Sequence, residues 1–331
     1  MKDPFGINPL PSPTWSALSM NGRRDWRADG GERACVLAAG NLAEMPFDPM
    51  EDIPLSAGED IRLPGGVSYR LGEGLSSLAL DGRGERLFAV ITCFVPSGRA
   101  VLECRLPEHK ETVLIVRARV ADGAELAILE RVPGHAKTTL SLGAWAGENA
   151  AFRLFQYAPE GGKALFGGYC VLSGRRSRFE GHVGYHAGAG SDLDMNYIIR
   201  HEGRETVSDL NVSGAISGGG QKRFRGTLDF VRGCAGAEGS EREDVLLLDE
   251  HGVNRTLPVI LCGEENVSGT HGASAGRLHE DMLFYLSSRG LDRAAIERMM
   301  TGAQLSRALE ALPAEAAGLW EAREETDGKI G

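Results

Sequence analysis

The sequence lacks any apolar run long enough to cross a bilayer. The longest, Leu87–Val95, is nine residues and contains Thr92, against roughly 18 for a membrane helix. It lacks an excess of positive charge: Lys and Arg number 36 against 46 Asp and Glu, a net charge of −10. That balance argues against general nucleic-acid binding through phosphate neutralisation. It lacks the GxxxxGK[ST] phosphate cradle. Gly218–Gly220 with Lys222 is the nearest glycine-lysine cluster, and its spacing fits a turn between strands. Its six cysteines show no CxxC spacing, so neither a zinc knuckle nor a thioredoxin-like motif is present. The first residues, Met1-Lys2-Asp3-Pro4, lack the apolar h-region of a signal peptide, which predicts a cytoplasmic protein with reduced thiols.

What is abundant is glycine, 45 of 331 residues, about twice the ordinary share and without a Gly-X-Y period. Glycine at this density predicts many tight turns and hence many short strands. Hydrophobic residues at 42% and charged residues at 25% fit a folded globular chain.

Pro4, Pro9, Pro11 and Pro13 predict an irregular arm over residues 1–34, with Trp15 placed to anchor it. From about 35 to 276 the texture is β. Leu114, Val116, Ala118 and Val120 alternate with Arg117 and Arg119, and Asp122-Gly123 follows as a turn. Phe224, Gly226, Leu228 and Phe230 alternate with Arg225, Thr227 and Asp229. Val245–Leu248 and Pro258–Cys262 read as short buried strands. No helical segments separate these strands, so a βαβ architecture is excluded. A sandwich, a barrel and a β-helix remain.

Residues 277–331 change character. Glu280–Ser288 reads as a helix with Gly290 at C′, and Asp292 as the N-cap of a second helix carrying Ile296, Met299, Met300 and Ala303. Pro313 closes it, and an acidic third segment spans 314–325.

Lys222 to Leu291 carries a resemblance: KRFRGTLDF, then an LPV stretch, THGASAG and LFYLSSRG in fixed order. These elements, with LPSPTW near the start, resemble the SufB/SufD family, non-ATPase subunits of the Suf-type iron–sulfur cluster assembly machinery. The resemblance implies a mainly β fold, a right-handed parallel β-helix with a small C-terminal helical domain. It implies a scaffold subunit, not an enzyme by itself, holding a transient two- or four-iron cluster (2Fe-2S or 4Fe-4S). The implied partners are a Suf-type ABC ATPase and apo-proteins that receive clusters. The chain is shorter than typical SufB or SufD. It is more similar to the compact single scaffold of minimal systems in anaerobic prokaryotes, which implies a homodimer joined near its C-terminal ends. The family's cysteine two positions before the turn histidine is Gly269 here, and the glutamate after that histidine is Gly272.

Within the region of resemblance, Cys234, Cys262 and His271 are the candidate cluster and metal ligands, with Glu264 as a fourth candidate. The 28 residues from Cys234 to Cys262 are read as one coil, which would set the two sulfurs side by side. Met282, Phe284, Tyr285, Leu286, Ile296, Met299 and Met300 exceed what two short helices need for their own packing. They are expected to include an ATPase-docking surface. Cys35, Cys93, Cys104 and Cys170, each with apolar neighbours, are expected in the core. His182 and His186 lie four apart, about 13 Å along a strand, too far for a shared zinc. The alternative function is a β-helix carbohydrate-active enzyme using the acidic strand face of Asp192 and Asp194.

Overall fold

The structure, a computed structural model, describes residues 9–11, 20–21, 31–48, 50, 52–56, 65–134, 136–159 and 161–316. Trp15, Pro4 and Pro13 of the arm and the third helical segment beyond residue 316 lie outside them.

Seventeen strands wind into a solenoid. It opens with β1 (Glu32–Arg33), β2 (Cys35–Met45) and β3 (Val67–Asp81). From there strands alternate between two sheets. Sheet A takes β4 (Arg86–Val95), β6 (Glu111–Val120), β8 (Thr138–Ala146), β10 (Lys163–Leu172), β12 (Asp192–His201), β14 (Gln221–Phe230) and β16 (Val253–Cys262). Sheet B takes β5 (Arg99–Arg105), β7 (Glu125–Arg131), β9 (Ala151–Ala158), β11 (Arg178–Ala187), β13 (Val207–Ile216), β15 (Ala237–Leu247) and β17 (Val267–Arg277). Each of these strands up to β15 pairs in parallel with the strand two places on, so one coil is two strands and there are seven coils.

The turn that precedes these seven coils is built differently. β3 is long enough to belong to both sheets: Val67–Arg70 pairs with β4 and Gly74–Ala79 with β5. β2 runs antiparallel along it, with a register irregularity between Gly40 and Leu42. Cys35 sits on β2 and is exposed, so the expectation that it packs in the core fails. An antiparallel strand added outside β3 has, among the described residues, no coil beyond it to bury its side chains.

Alternation places the core. Leu114, Val116, Ala118 and Val120 point into the lumen between the sheets, while Arg119 pairs outside with Asp52 at 2.6 Å and Arg117 reaches the Ile53 carbonyl. Parallel strands with both faces covered read as continuous apolar runs, and β4 is such a case. Its outward Phe88 and Val90 join Leu55, Val113, Ile115 and Leu165 under residues 52–56. Outside sheet B lies the helical tail, α1 (Glu280–Ser288) and α2 (Arg293–Leu309), with a further helix starting at 314. Asp292 caps α2 by accepting from the Ala295 amide, and Gly290 takes φ +91° after α1. Gly184 on β11 lets α2 approach: a Cβ there would meet Ala308 Cβ at 3.0 Å.

The lumen is not uniformly apolar. Glu130 is buried, paired in register with Cys104 below and Gln156 above. Gln156 donates to the Glu130 carboxylate at 2.5 Å and accepts from the Tyr197 hydroxyl. Burial outweighs the Gln156 bond and pushes the Glu130 carboxyl up to about 7. The folded chain therefore keeps a proton that the unfolded chain loses above about pH 4.3. The stability tied to it is full at lower pH and is lost as pH rises through about 7. We predict that Glu130→Gln flattens this slope, gaining about 2–3 kcal/mol on wild type between pH 5 and pH 8 in denaturant unfolding. Parallel pH profiles would contradict it.

Candidate functional site

A solenoid coil is stabilised by the coil on each side, and the seventh coil has a neighbour on one side only. Among the described residues β16 pairs only with β14 and β17 only with β15. Exposure follows: β15 alternates between buried and exposed, whereas β17 is almost wholly exposed. The inward side chains of the last coil thus line an open mouth. They include Thr256 and Cys262 from β16 and His271 from β17, in register with Phe224, Phe230 and Glu241 one coil below.

Cys262 and Cys234 meet at one corner of this mouth, though not as a matched pair. Lys163 pairs with Asp192 and Asp192 with Gln221, a 29-residue coil, but Gln221 pairs with Val253, a coil of 32. The 28-residue spacing therefore misses equivalence. Cys262 ends its strand opposite Phe230, and Cys234 lies in the turn beyond it. Cys234 is buried and Cys262 exposed. Burial pushes the Cys234 thiol up, and the nearby Glu264 carboxylate and Cys262 add to it. The Cys262 thiol donates to the Glu264 carbonyl at 3.1 Å. Glu264 itself is engaged: its carboxylate accepts from the amides of Gly233 at 2.9 Å and Glu265 at 3.1 Å, and these with Asn266 hold it below the usual range. It fastens the last turn to the one beneath.

The centre of the mouth holds a charged cluster that the sequence reading missed. Lys222 and Glu243 are buried and form an ion pair, and Thr256 bridges them, accepting from the Lys222 ammonium at 2.9 Å and donating to Glu243 at 2.6 Å. Desolvation lowers Lys222 against the pull of Glu243. Glu241, on the same inward face of β15, extends across the lumen to Gly226 of β14, where any Cβ would collide with its carboxylate. Burial, with Glu243 beside it, pushes Glu241 up to about 8. The signal was present: Glu241 and Glu243 share parity with the core residues Ala237 and Val245.

His271 stands on the adjacent coil in register with Glu241, nine residues past Cys262. Among the described residues no three His, Cys, Asp or Glu side chains gather closely enough to hold a metal ion. A single chain thus brings Cys234, Cys262 and Glu264 to one corner and His271 to the middle of the opening.

The remaining candidates divide cleanly. His182 and His186 lie on β11, the first bonded to Glu180 at 2.7 Å and stacked on Phe155, the second bonded to Ser217 at 2.8 Å. Asp194 is buried in an ion pair with Arg225, and Asp192 pairs with Arg223 at 2.7 Å. An acid pair bound this way is not a free glycosidic face. On the tail, Ile296 is buried and Met300 packs on Ala215, Leu246 and Leu248. Met282, Tyr285 and Met299 are exposed, Phe284 is 78% exposed, and α1 buries no residue. No helix among the described residues is long and apolar enough to cross a membrane.

Comparison with known proteins gives a family. The family model described as SUF system FeS cluster assembly, SufBD core domain, covers residues 99–304. An iron–sulfur cluster assembly SufBD family protein of Staphylococcus saprophyticus is 28% identical over 146 residues, 44% of this chain and 31% of that protein. The iron–sulfur cluster assembly protein SufB of Bacillus subtilis gives the same identity and coverage. A SufBD family protein of Mycobacterium leprae is 32% identical over 105 residues, 32% of this chain and 12% of that protein. The matches to these curated relatives span less than a third of their length.

The Lys222–Glu243 pair makes a stability prediction. Removing one member strands a buried charge, so Lys222→Met should cost about 3–5 kcal/mol in denaturant unfolding. Adding Glu243→Leu should recover most of it, since an apolar replacement of both partners leaves no unpaired charge. A double variant as unstable as the single one would refute the assignment.

Proposed function

The chain belongs to the SufBD core family, and from that premise we propose that it is a scaffold subunit for iron–sulfur cluster assembly, building a transient cluster at the open end of its solenoid. The observation that carries the reading is the last coil itself. A family fold ends there in a mouth that presents an exposed thiol, a histidine and unpaired strand edges together. Thiolate and imidazole are the soft and borderline ligands that iron–sulfur clusters take. The cluster is cargo, and an incompletely ligated site suits cargo that must leave for an apo-protein.

Two further parts belong to the proposal. The free edges of β16 and β17 leave backbone N–H and C=O groups that a second copy can satisfy, giving a homodimer with two mouths facing. The exposed face of α1, with Met282, Phe284 and Tyr285, and Met299 of α2, docks a Suf-type ABC ATPase that supplies the hydrolysis. Met300 and Ile296 serve the tail's own packing instead.

Anaerobic reconstitution with iron and sulfide tests the first part. Wild type should develop sulfide-to-iron charge-transfer absorption, and Cys262→Ala and Cys234→Ala, made singly, should each bind less iron and sulfide. Wild-type amounts in both variants would remove these cysteines from the site. The docking surface is tested by Phe284→Glu, which changes an exposed side chain and leaves the core intact. Co-purification with the ATPase should be lost. Undiminished binding would place the partner elsewhere.

A further inference from the structure

The ionisable groups of the mouth are unevenly matched. Two carboxylates, Glu241 and Glu243, project into the lumen beside one ammonium, Lys222. Lys222 is committed to Glu243, with Thr256 closing the third side. Glu241 is 4% exposed, and among the described residues it accepts no hydrogen bond and joins no ion pair. A buried carboxylate in that state is expensive, because burial removes water without supplying a donor. A second polar group of the cluster is also unpartnered. The Tyr185 hydroxyl is fully buried without a hydrogen bond, on a ring 5.8 Å from the Lys222 ammonium.

Glu241 is also placed for use. Gly226 clears the space its carboxylate occupies. His271 is its register partner on the outermost coil, so the two side chains leave the same face about 4.8 Å apart. Glu241 is thus the floor of the opening and His271 its rim. One oxygen and one nitrogen ligand from adjacent coils match ferrous iron, which accepts carboxylate and imidazole together.

We propose that Glu241 is a metal-ligating residue, which with His271 receives a ferrous ion at the mouth of the last coil before sulfide is added. The pair supplies two protein ligands, leaving the other positions for water and then for sulfide. This rests on reading the mouth as the assembly site and adds to it the point at which iron enters. Cys262 and Cys234, at the corner, then serve the sulfide-bearing stage, not metal entry.

The test is anaerobic titration of the full chain with cobalt(II), a spectroscopic stand-in for ferrous iron, without sulfide or ATPase. Wild type should take up roughly one cobalt(II) per chain with visible d–d bands. Glu241→Gln, the same shape without a carboxylate to ligate, should bind at least roughly tenfold more weakly, and His271→Ala likewise. Glu238→Gln, on the outer face of the same strand, should bind as wild type does. Thermal unfolding of Glu241→Gln at or above the wild-type midpoint shows that the loss is not one of fold. Cobalt(II) binding unchanged by Glu241→Gln overturns the proposal, and if His271→Ala alone abolishes it the assembly reading stands without Glu241. Binding that depends on Glu241 in a chain that never reconstitutes a cluster keeps the metal site and removes the assembly reading.

Discussion

Everything in this molecule depends on the parallel ladder from each strand to the strand two places on. A coil of two strands cannot bury its inner face alone; it becomes stable only when sandwiched between coils that satisfy its backbone and cover its side chains. Six of the seven coils lie below another. The seventh does not, and the consequences run through its residues: Cys262 is exposed where Phe230, its register partner, is buried, and His271 is open where Glu241 is covered. The candidate ligands Cys262 and His271 lie where the stabilising rule runs out.

The same ladder explains how charged groups come to lie inside. In a two-sheet solenoid, parity alone decides whether a side chain faces the lumen, so a charged residue at an inward position has no way to turn out to water. Lys222, Glu241 and Glu243 are held there by register, as is Glu130 further down. Pairing and bridging by Thr256 offset part of the cost. Near the open end such a cluster also terminates the apolar core, separating Phe224 and Tyr185 from solvent.

Much of the architecture was legible in the sequence, for physical reasons. Glycine density and period-two runs such as Leu114–Val120 announce short strands, and Asp292 and Gly290 mark helix ends through capping chemistry. Choosing a β-helix over a sandwich took the ordered LPV and THGASAG elements, because strand texture carries no information about which strands are neighbours. The site was only partly legible. Cys234 and Cys262 were placed by counting residues, and the count fails because that coil is 32 residues, three more than each of the two before it. Turn length varies freely in a solenoid while strand register does not. The face of Glu241 and Glu243 could have been read from parity with Ala237 and Val245; their burial could not, since it depends on the coil stacked above. Cys35 was misplaced for the mirror reason, an apolar-flanked strand with nothing stacked outside it.

The buried thiols carry one more consequence. Cys93 is pushed up to about 12 by burial, and Cys104 and Cys170 are raised by the same cause. Metal binding and sulfur chemistry need the thiolate, and at about 12 roughly one such thiol in a hundred thousand is ionised at pH 7. Ionised thiols throughout the chain would invite indiscriminate metallation at every cysteine. The dry lumen confers chemoselectivity: it holds these three sulfurs as thiols, small apolar filling among the core side chains.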